Sequence, residues 1–304
     1  MVSNTVDNGL HFQPTSPSRV FEDIAQTNPN LDLTGSISKS LATLIGTGGY
    51  GNVYHMTWDG KEICVKEFRC FSKAGGKQRV AQLARRETSV WWSLEHKNIL
   101  PFIGYCSDFG GTFALISPHI SGGSLFDLLM NHPSESLDRI TIIICIAEAL
   151  EYLHSRGISH GDLKCANVLV SGTVDQPVPL LCDFGLSKVS GISGYTTGST
   201  GTPRWMAKEI LADGGATPAG DIWSWGMTVL EVMTAKRPFS ELGGTDWAIA
   251  AHILAGNLPC WPGSPATERG LCEELWQLLL RCWSDRPDSR PSASGVINVV
   301  SSWR

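Results

Sequence analysis

Residues 45–54 read Ile45-Gly46-Thr47-Gly48-Gly49-Tyr50-Gly51-Asn52-Val53-Tyr54 and set Gly46, Gly48 and Gly51 in a Gly-x-Gly-x-x-Gly spacing. Glycines let a backbone turn tightly and bring its N–H groups up to an anion with no side chain between. A phosphate cradle is the chemistry this spacing serves, although a plain hairpin tip has the same composition. The glycines sit between strand-like segments, which argues against a dinucleotide-binding turn, and no Gly-Lys-Ser/Thr ending follows, which excludes a Walker loop.

A lysine closes the next apolar run, Glu62-Ile63-Cys64-Val65-Lys66-Glu67-Phe68. Alone, Lys66 reads as a solvated residue on an edge strand. Residues 77–94 then show a helical pattern, with Val80, Leu83, Val90, Trp91 and Leu94 on one face. At about 100° per residue Glu87 falls in the middle of that face, away from Arg79, Arg85 and Arg86. A carboxylate on a buried stripe is costly unless a cation meets it, and Lys66 is the natural candidate if the helix phase is read correctly.

The densest chemistry lies in Ile158-Ser159-His160-Gly161-Asp162-Leu163-Lys164-Cys165-Ala166-Asn167-Val168-Leu169-Val170, followed at a distance by Leu180-Leu181-Cys182-Asp183-Phe184-Gly185. With these motifs, in this order, the chain resembles the protein kinase family, in its tyrosine-kinase-like branch of Ser/Thr kinases. HKNILPFIG, HGDLK and RWMAKE are similar to the family expanded in mushroom-forming fungi. The resemblance spans about Ser38 to Arg304.

That resemblance implies an α+β, bilobal fold with a small β-rich N-lobe carrying helix C and a larger helical C-lobe. It implies ATP and Mg2+ as cofactors and proteins with Ser/Thr acceptors as substrates. Asp162 would be the catalytic base, Lys164 would steady the transferring phosphoryl group, and Thr202 would contact both. Lys66, paired with Glu87, would hold the α and β phosphates. Asn167 and Asp183 would hold the metal through hard oxygen ligands. The nucleotide would lie against Ile45, Gly46, Gly48, Gly49, Tyr50, Gly51, Val53, Cys64, Ser117 and His119. The hinge would run near Ser117-Pro118-His119-Ile120, with Ser117 as a small gatekeeper. Because Pro118 lacks an N–H, adenine contacts should centre on His119. Asp221 would bond the catalytic-loop backbone, and Arg290 would pair with Glu209.

The chain departs from the family pattern at several positions. Gly161 stands where an arginine usually anchors a phosphorylated activation loop. Phosphorylation of Tyr195, Thr196, Thr197, Ser199 or Thr200 should therefore change activity only modestly. Lys208 replaces a proline, so the local turn is expected to loosen. Cys64 and Cys182 should line the nucleotide pocket, as small fillers or as thiols that ATP shields from alkylation. Lys164 and Thr202 point to Ser/Thr rather than Tyr acceptors. A pseudokinase scaffold and an aminoglycoside- or choline-type phosphotransferase are the competing readings; the latter also carries HGD, but the segment ending GTPRWMAKE argues against it.

Two unlike lobes must position these groups. Residues 1–36, rich in Ser, Thr, Asn and Pro, read as a flexible tail, with Ser16-Pro17 a weak phosphorylation candidate and Phe21 to Ala25 a short helical turn. Residues 37–304 read as one kinase domain: an N-lobe at about 37–117, a hinge at about 117–122 and a C-lobe at about 123–304. Helices are expected near Asp138 to Ser155, stopped by Gly157, and Pro218 to Thr234. A chain of 304 residues with 42% hydrophobic and 17% charged side chains is an ordinary globular protein. Its net charge of −5 gives no footprint for nucleic acid. Nine scattered cysteines, no signal-like N-terminus and no membrane-length apolar run fit an intracellular, cytoplasmic protein with reduced thiols, a nuclear location remaining open. Nothing in the sequence sets the oligomeric state.

Overall fold

A computed structural model describes residues 29–48, 51–68, 84, 87–132, 137–189 and 201–303. The Ser16-Pro17 site, the turn at Phe21 to Ala25, Gly49, Tyr50 and the hydroxyls Tyr195 to Thr200 lie outside the described residues.

The N-lobe is an antiparallel sheet of β1 (Thr43–Thr47), β2 (Gly51–Trp58), β3 (Lys61–Phe68), β4 (Gly104–Cys106) and β5 (Ala114–Pro118), in the order β1-β2-β3-β5-β4. Its register follows from one turn. Asp59 and Gly60 both hold positive φ, +49° and +70°, the conformation a two-residue hairpin with native twist requires. That turn sets Trp58 opposite Lys61, His55 opposite Cys64 and Val53 opposite Lys66. Side chains alternate along β3, so Ile63 and Val65 enter a buried cluster with Tyr54, Met56 and Ile116. Cys64 and Lys66 face the other way.

The ordered fold begins earlier than the composition suggests. The end of the tail expected to reach 36 packs on the N-lobe instead: Leu33 is buried, as is Ile37 just after it, and the Leu33 N–H donates to the Tyr105 carbonyl at 2.8 Å. β4 is the edge of the sheet, and its free backbone groups need a partner. Residues 29–37 supply one, including a parallel bridge between Asp32 and Tyr105.

The C-lobe contains α1 (Leu125–Asn131), α2 (Arg139–Ser155), α3 (Lys208–Asp213), α4 (Pro218–Thr234), α5 (Asp246–Leu254), α6 (Glu273–Cys282) and α7 (Ala293–Ser301). Ser124 and Asp127 close a reciprocal capping box at the start of α1. α2 ends where Gly157 turns at φ +69°. α4 is buried from Gly220 to Met233 and forms the lobe's central post. No described helix is long and apolar enough to cross a membrane.

Four short strands set the loops that carry the chemistry. β6 (Ile158–Ser159) pairs with β9 (Lys188–Val189), and β7 (Val168–Gly172) pairs with β8 (Pro177–Leu181). The β6–β7 loop holds Asp162 and Asn167, and Asp183 follows β8 directly, so the hairpin brings all three together.

Candidate active site

Lys66 reaches from β3 into the space between the lobes, where its Nζ lies 2.7 and 3.0 Å from the Glu87 carboxylate and 2.8 Å from Asp183 Oδ1. Glu87, in helical residues 87–91, is 1% exposed and shares the buried face with Val90 and Trp91, while Arg79, Val80, Leu83, Arg85 and Arg86 lie outside the described residues. Burial works against the Lys66 ammonium, but Asp183 and Glu87 outweigh it and raise its pKa. Burial also opposes the ionised form of Asp183, yet Lys66 holds that carboxyl below its usual range. Glu87 goes the other way: burial, with Asp183 competing for the same ammonium, pushes it up to about 7 against the pull of Lys66. The three groups share one positive charge.

Aromatic packing ties this trio to the catalytic loop. Phe184 is fully buried, with its ring 6.0 Å from Trp91 and 5.5 Å from His160. Asp183 itself takes a left-handed conformation (φ +68°), a strained choice for a non-glycine residue that a packed site can impose.

In the loop, Lys164 Nζ lies 2.7 Å from Asp162 Oδ2 and 2.5 Å from Thr202 Oγ1. The Thr202 hydroxyl donates to Asp162 Oδ1 at 3.0 Å. Asn167 Nδ2 donates to the Asp162 carbonyl at 2.7 Å and to Oδ2 at 2.9 Å, fixing the carboxylate from the other side. Asp221 of α4, 1% exposed, accepts from the His160 and Gly161 amides at 2.8 and 2.9 Å. Arg290 clasps Glu209 through two N–H···O bonds of 2.6 and 2.9 Å. The Thr202, Asp221 and Arg290 pairings join residues the motif order had put together; the Asn167–Asp162 bonds were not among those expectations.

The glycine-rich segment is a β1–β2 hairpin, with the Gly48 N–H donating to the Gly51 carbonyl at 2.8 Å. A Cβ on Gly51 would stand 2.0 Å from the Glu67 carbonyl oxygen, so only glycine lets β2 approach β3 there. Ile45 lies half-exposed in β1 with Gly46 beside it, and Val53 pairs with Lys66. Ser117, 6% exposed, pairs with Cys64 at the rear.

Several expectations need correction. The His119 N–H already donates to the Glu62 carbonyl at 3.0 Å, extending the sheet, so it is not free for a ligand. Among the described residues the neighbouring Ile120 N–H has no partner. Lys208 does not loosen its turn: it starts α3 and its ammonium pairs with Asp285. Neither pocket thiol is poised to react. Burial pushes Cys64 up to about 11 and Cys182 up to about 12, and Cys182 Sγ donates to the Asn167 carbonyl at 3.3 Å. The sequence reading also passed over His55 and Glu62, which join Cys64 and His119 on the Lys66 side of the sheet. The Asp59-Gly60 turn was the signal that could have placed them.

An ammonium, a hydroxyl and an amide around one carboxylate, beside a lysine shared by two more carboxylates, is the kind of site that protein kinase domains build. Residues 40–300 match the protein kinase domain family, and the chain belongs to it. It is 32% identical over 308 residues to mitogen-activated protein kinase kinase kinase 1 of Arabidopsis thaliana, covering 98% of this chain and 48% of that protein. It is 27% identical over 291 residues to serine/threonine-protein kinase CTR1 of the same plant, covering 93% and 34%. It is 29% identical over 269 residues to mitogen-activated protein kinase kinase kinase 7 of Bos taurus, covering 85% and 42%. The chain thus spans less than half the length of these relatives.

Proposed function

We propose that the protein is an ATP-dependent kinase that phosphorylates serine or threonine on protein substrates. The observation that carries this reading is the Asp162–Lys164–Thr202 triad held within hydrogen-bond reach of one another. Asp162 takes the proton of the acceptor hydroxyl as its oxygen bonds to the γ-phosphorus and the bond to the β,γ-bridging oxygen breaks, leaving ADP. Lys164 offsets the charge on the transferred group. Lys66, oriented by Glu87, holds the α and β phosphates under the glycine-rich hairpin.

Asn167 and Asp183 fit Mg2+: they offer two hard oxygen donors, and magnesium usually takes its remaining positions from phosphates and water. When bound, the ion neutralises phosphate charge. With the His119 amide engaged, the Pro118 carbonyl and the Ile120 amide are the backbone groups we assign to the adenine edge.

Beside Lys164 and Thr202 a cavity of about 150 Å³, reaching Ala166, Arg204 and Arg237, offers room for residues flanking the acceptor. The Arg290–Glu209 clasp at the end of the activation segment supports a protein acceptor over a small molecule. We place the kinase domain at residues 37–304, with residues 29–36 packed on its N-lobe and with intracellular action and kinship to the fungal expansion resting on the sequence features above. Phosphoamino-acid analysis of a generic basic protein labelled by the enzyme tests the assignment: phosphoserine or phosphothreonine supports it, and phosphotyrosine alone contradicts it.

A further inference from the structure

On the Lys66 side of the sheet, four titratable groups meet that the phosphate chemistry does not use. Cys64 precedes Lys66 by two residues in β3 and so faces the same cleft. His55 lies directly opposite Cys64 in β2 and shares that face. His119 comes in from the segment after β5: its Nδ1 is 3.4 Å from Cys64 Sγ, and its ring centre is 4.2 Å from that of His55. His55 in turn touches the Glu62 carboxylate, whose other oxygen accepts from Thr57 at 2.6 Å. The His119 ring is therefore folded under the sheet by its partners, at the hinge end of the cleft.

We propose that the His119 ring, positioned by Cys64 and His55, lines the adenine end of the nucleotide site as a neutral imidazole and is displaced on protonation, making base binding sensitive to pH. This rests on the nucleotide-site reading above. Burial pushes the Cys64 thiol up to about 11, so near neutrality it is an S–H donor and needs an acceptor. The ring nitrogen facing that sulfur can accept the S–H only while the ring is uncharged; a second ring proton removes this acceptor, leaves only the weakly accepting sulfur in exchange, and sets a cation 4.2 Å from the His55 ring. The groups facing His119 are Cys64 and Glu62 from β3 and His55 from β2. Burial and the neighbouring His55 hold the His119 pKa below its ordinary value, and Glu62 only partly opposes them. The neutral ring is the state the packing selects, and acid removes it. If the base docks on the neutral ring, nucleotide must reciprocally depress its protonation.

The probe is adenosine, because phosphate groups titrate near pH 6 and would confuse the reading. Adenosine affinity is measured by calorimetry from pH 5.5 to 8.0 for the wild type, His119→Phe and Cys64→Ala, with thermal melting as a check on folding. Imidazole NMR titrations of His119 are recorded with and without adenosine. We expect wild-type affinity to fall at least about threefold from pH 7.5 to 5.5. His119→Phe should bind with no pH dependence, and Cys64→Ala should move the midpoint to higher pH by removing the thiol donor. Adenosine should lower the His119 midpoint. A wild-type affinity that is flat with pH, or the same slope in His119→Phe, overturns the proposal while leaving the nucleotide site standing. No adenosine binding at any pH overturns the nucleotide-site reading and this proposal with it.

Discussion

Gly161 holds φ at +84° while its N–H donates to Asp221 Oδ1 at 2.9 Å, so the position where the motif pattern leads one to expect arginine is here a backbone joint between the catalytic loop and α4. A Cβ at residue 161 would stand 2.8 Å from the Ala216 Cβ and 2.9 Å from the Leu186 carbonyl oxygen. Restoring arginine therefore strains the loop in two ways, by conformation and by contact. Gly161→Arg is expected to lose about tenfold or more in kcat/KM and to melt lower, rather than to gain phosphate-dependent control. Phosphatase treatment of the wild type should change its rate only modestly. Kinetics with and without the phosphatase, on both proteins, check both statements.

Glu87 gives a prediction with an unusual sign. Its folded pKa of about 7 lies above the ordinary 4.5, so the folded state prefers the protonated acid. That preference adds stability fully below pH 4.5, and the contribution is lost as pH rises through 7. Glu87→Gln copies the protonated acid and leaves Lys66 its contact with Asp183. Its stability, followed by thermal melting, should pull ahead of the wild type between pH 4.5 and 7 and stay ahead at pH 8, by on the order of 1–3 kcal/mol. Activity should fall at least about tenfold at pH 8, because the charged partner that orients Lys66 is gone. Paired melting and rate measurements across that range separate the two effects.

Lys208 and Arg290 sit in adjacent ion pairs of unequal weight. The Lys208–Asp285 pair is open to water, and exposed pairs contribute about 0–1 kcal/mol. Lys208 is also the first residue of α3, where proline is well tolerated. Lys208→Pro should change stability by less than about 1 kcal/mol and leave activity near wild type. Arg290 is fully buried against Glu209 and also donates to the Ser284 and Ala219 carbonyls. Arg290→Ala should lose about 3–5 kcal/mol in chemical denaturation, since it strands a carboxylate and two carbonyls.

The thiols should sort by environment. Cys260 and Cys272 are exposed, whereas Cys64 and Cys182 are held protonated at neutral pH. Iodoacetamide at pH 7.5, read by mass spectrometry, should label Cys260 and Cys272 well before Cys64 and Cys182. ATP should make no difference to that order.

Much of the site was legible because its residues act through short motifs and helix phase. Glu87 could be placed from periodicity, and the Asp162, Asn167 and Asp183 set from the motifs that carry the family resemblance. Pro218 to Thr234 was legible as a helix for the same reason. What escaped depends on partners distant in sequence. Leu33 and Ile37 are two apolar residues in a polar stretch, and their role appears only once β4 is known to be a sheet edge. The engaged His119 amide depends on Glu62, across the β3–β5 register. Lys208 looked like a defect because its counter-ion, Asp285, lies far along the chain.

In the proposed reaction Asp162 takes the acceptor's proton, and transfer of labelled γ-phosphate from Mg-ATP tests that role most directly. Wild type and Asp162→Asn are compared on a generic basic protein, with nucleotide binding measured in parallel. Transfer by the wild type, a loss of about a hundredfold or more in the variant, and nucleotide binding retained by both are the expected results. Nucleotide binding without transfer in the wild type, or equal transfer by the variant, would contradict the proposed reaction.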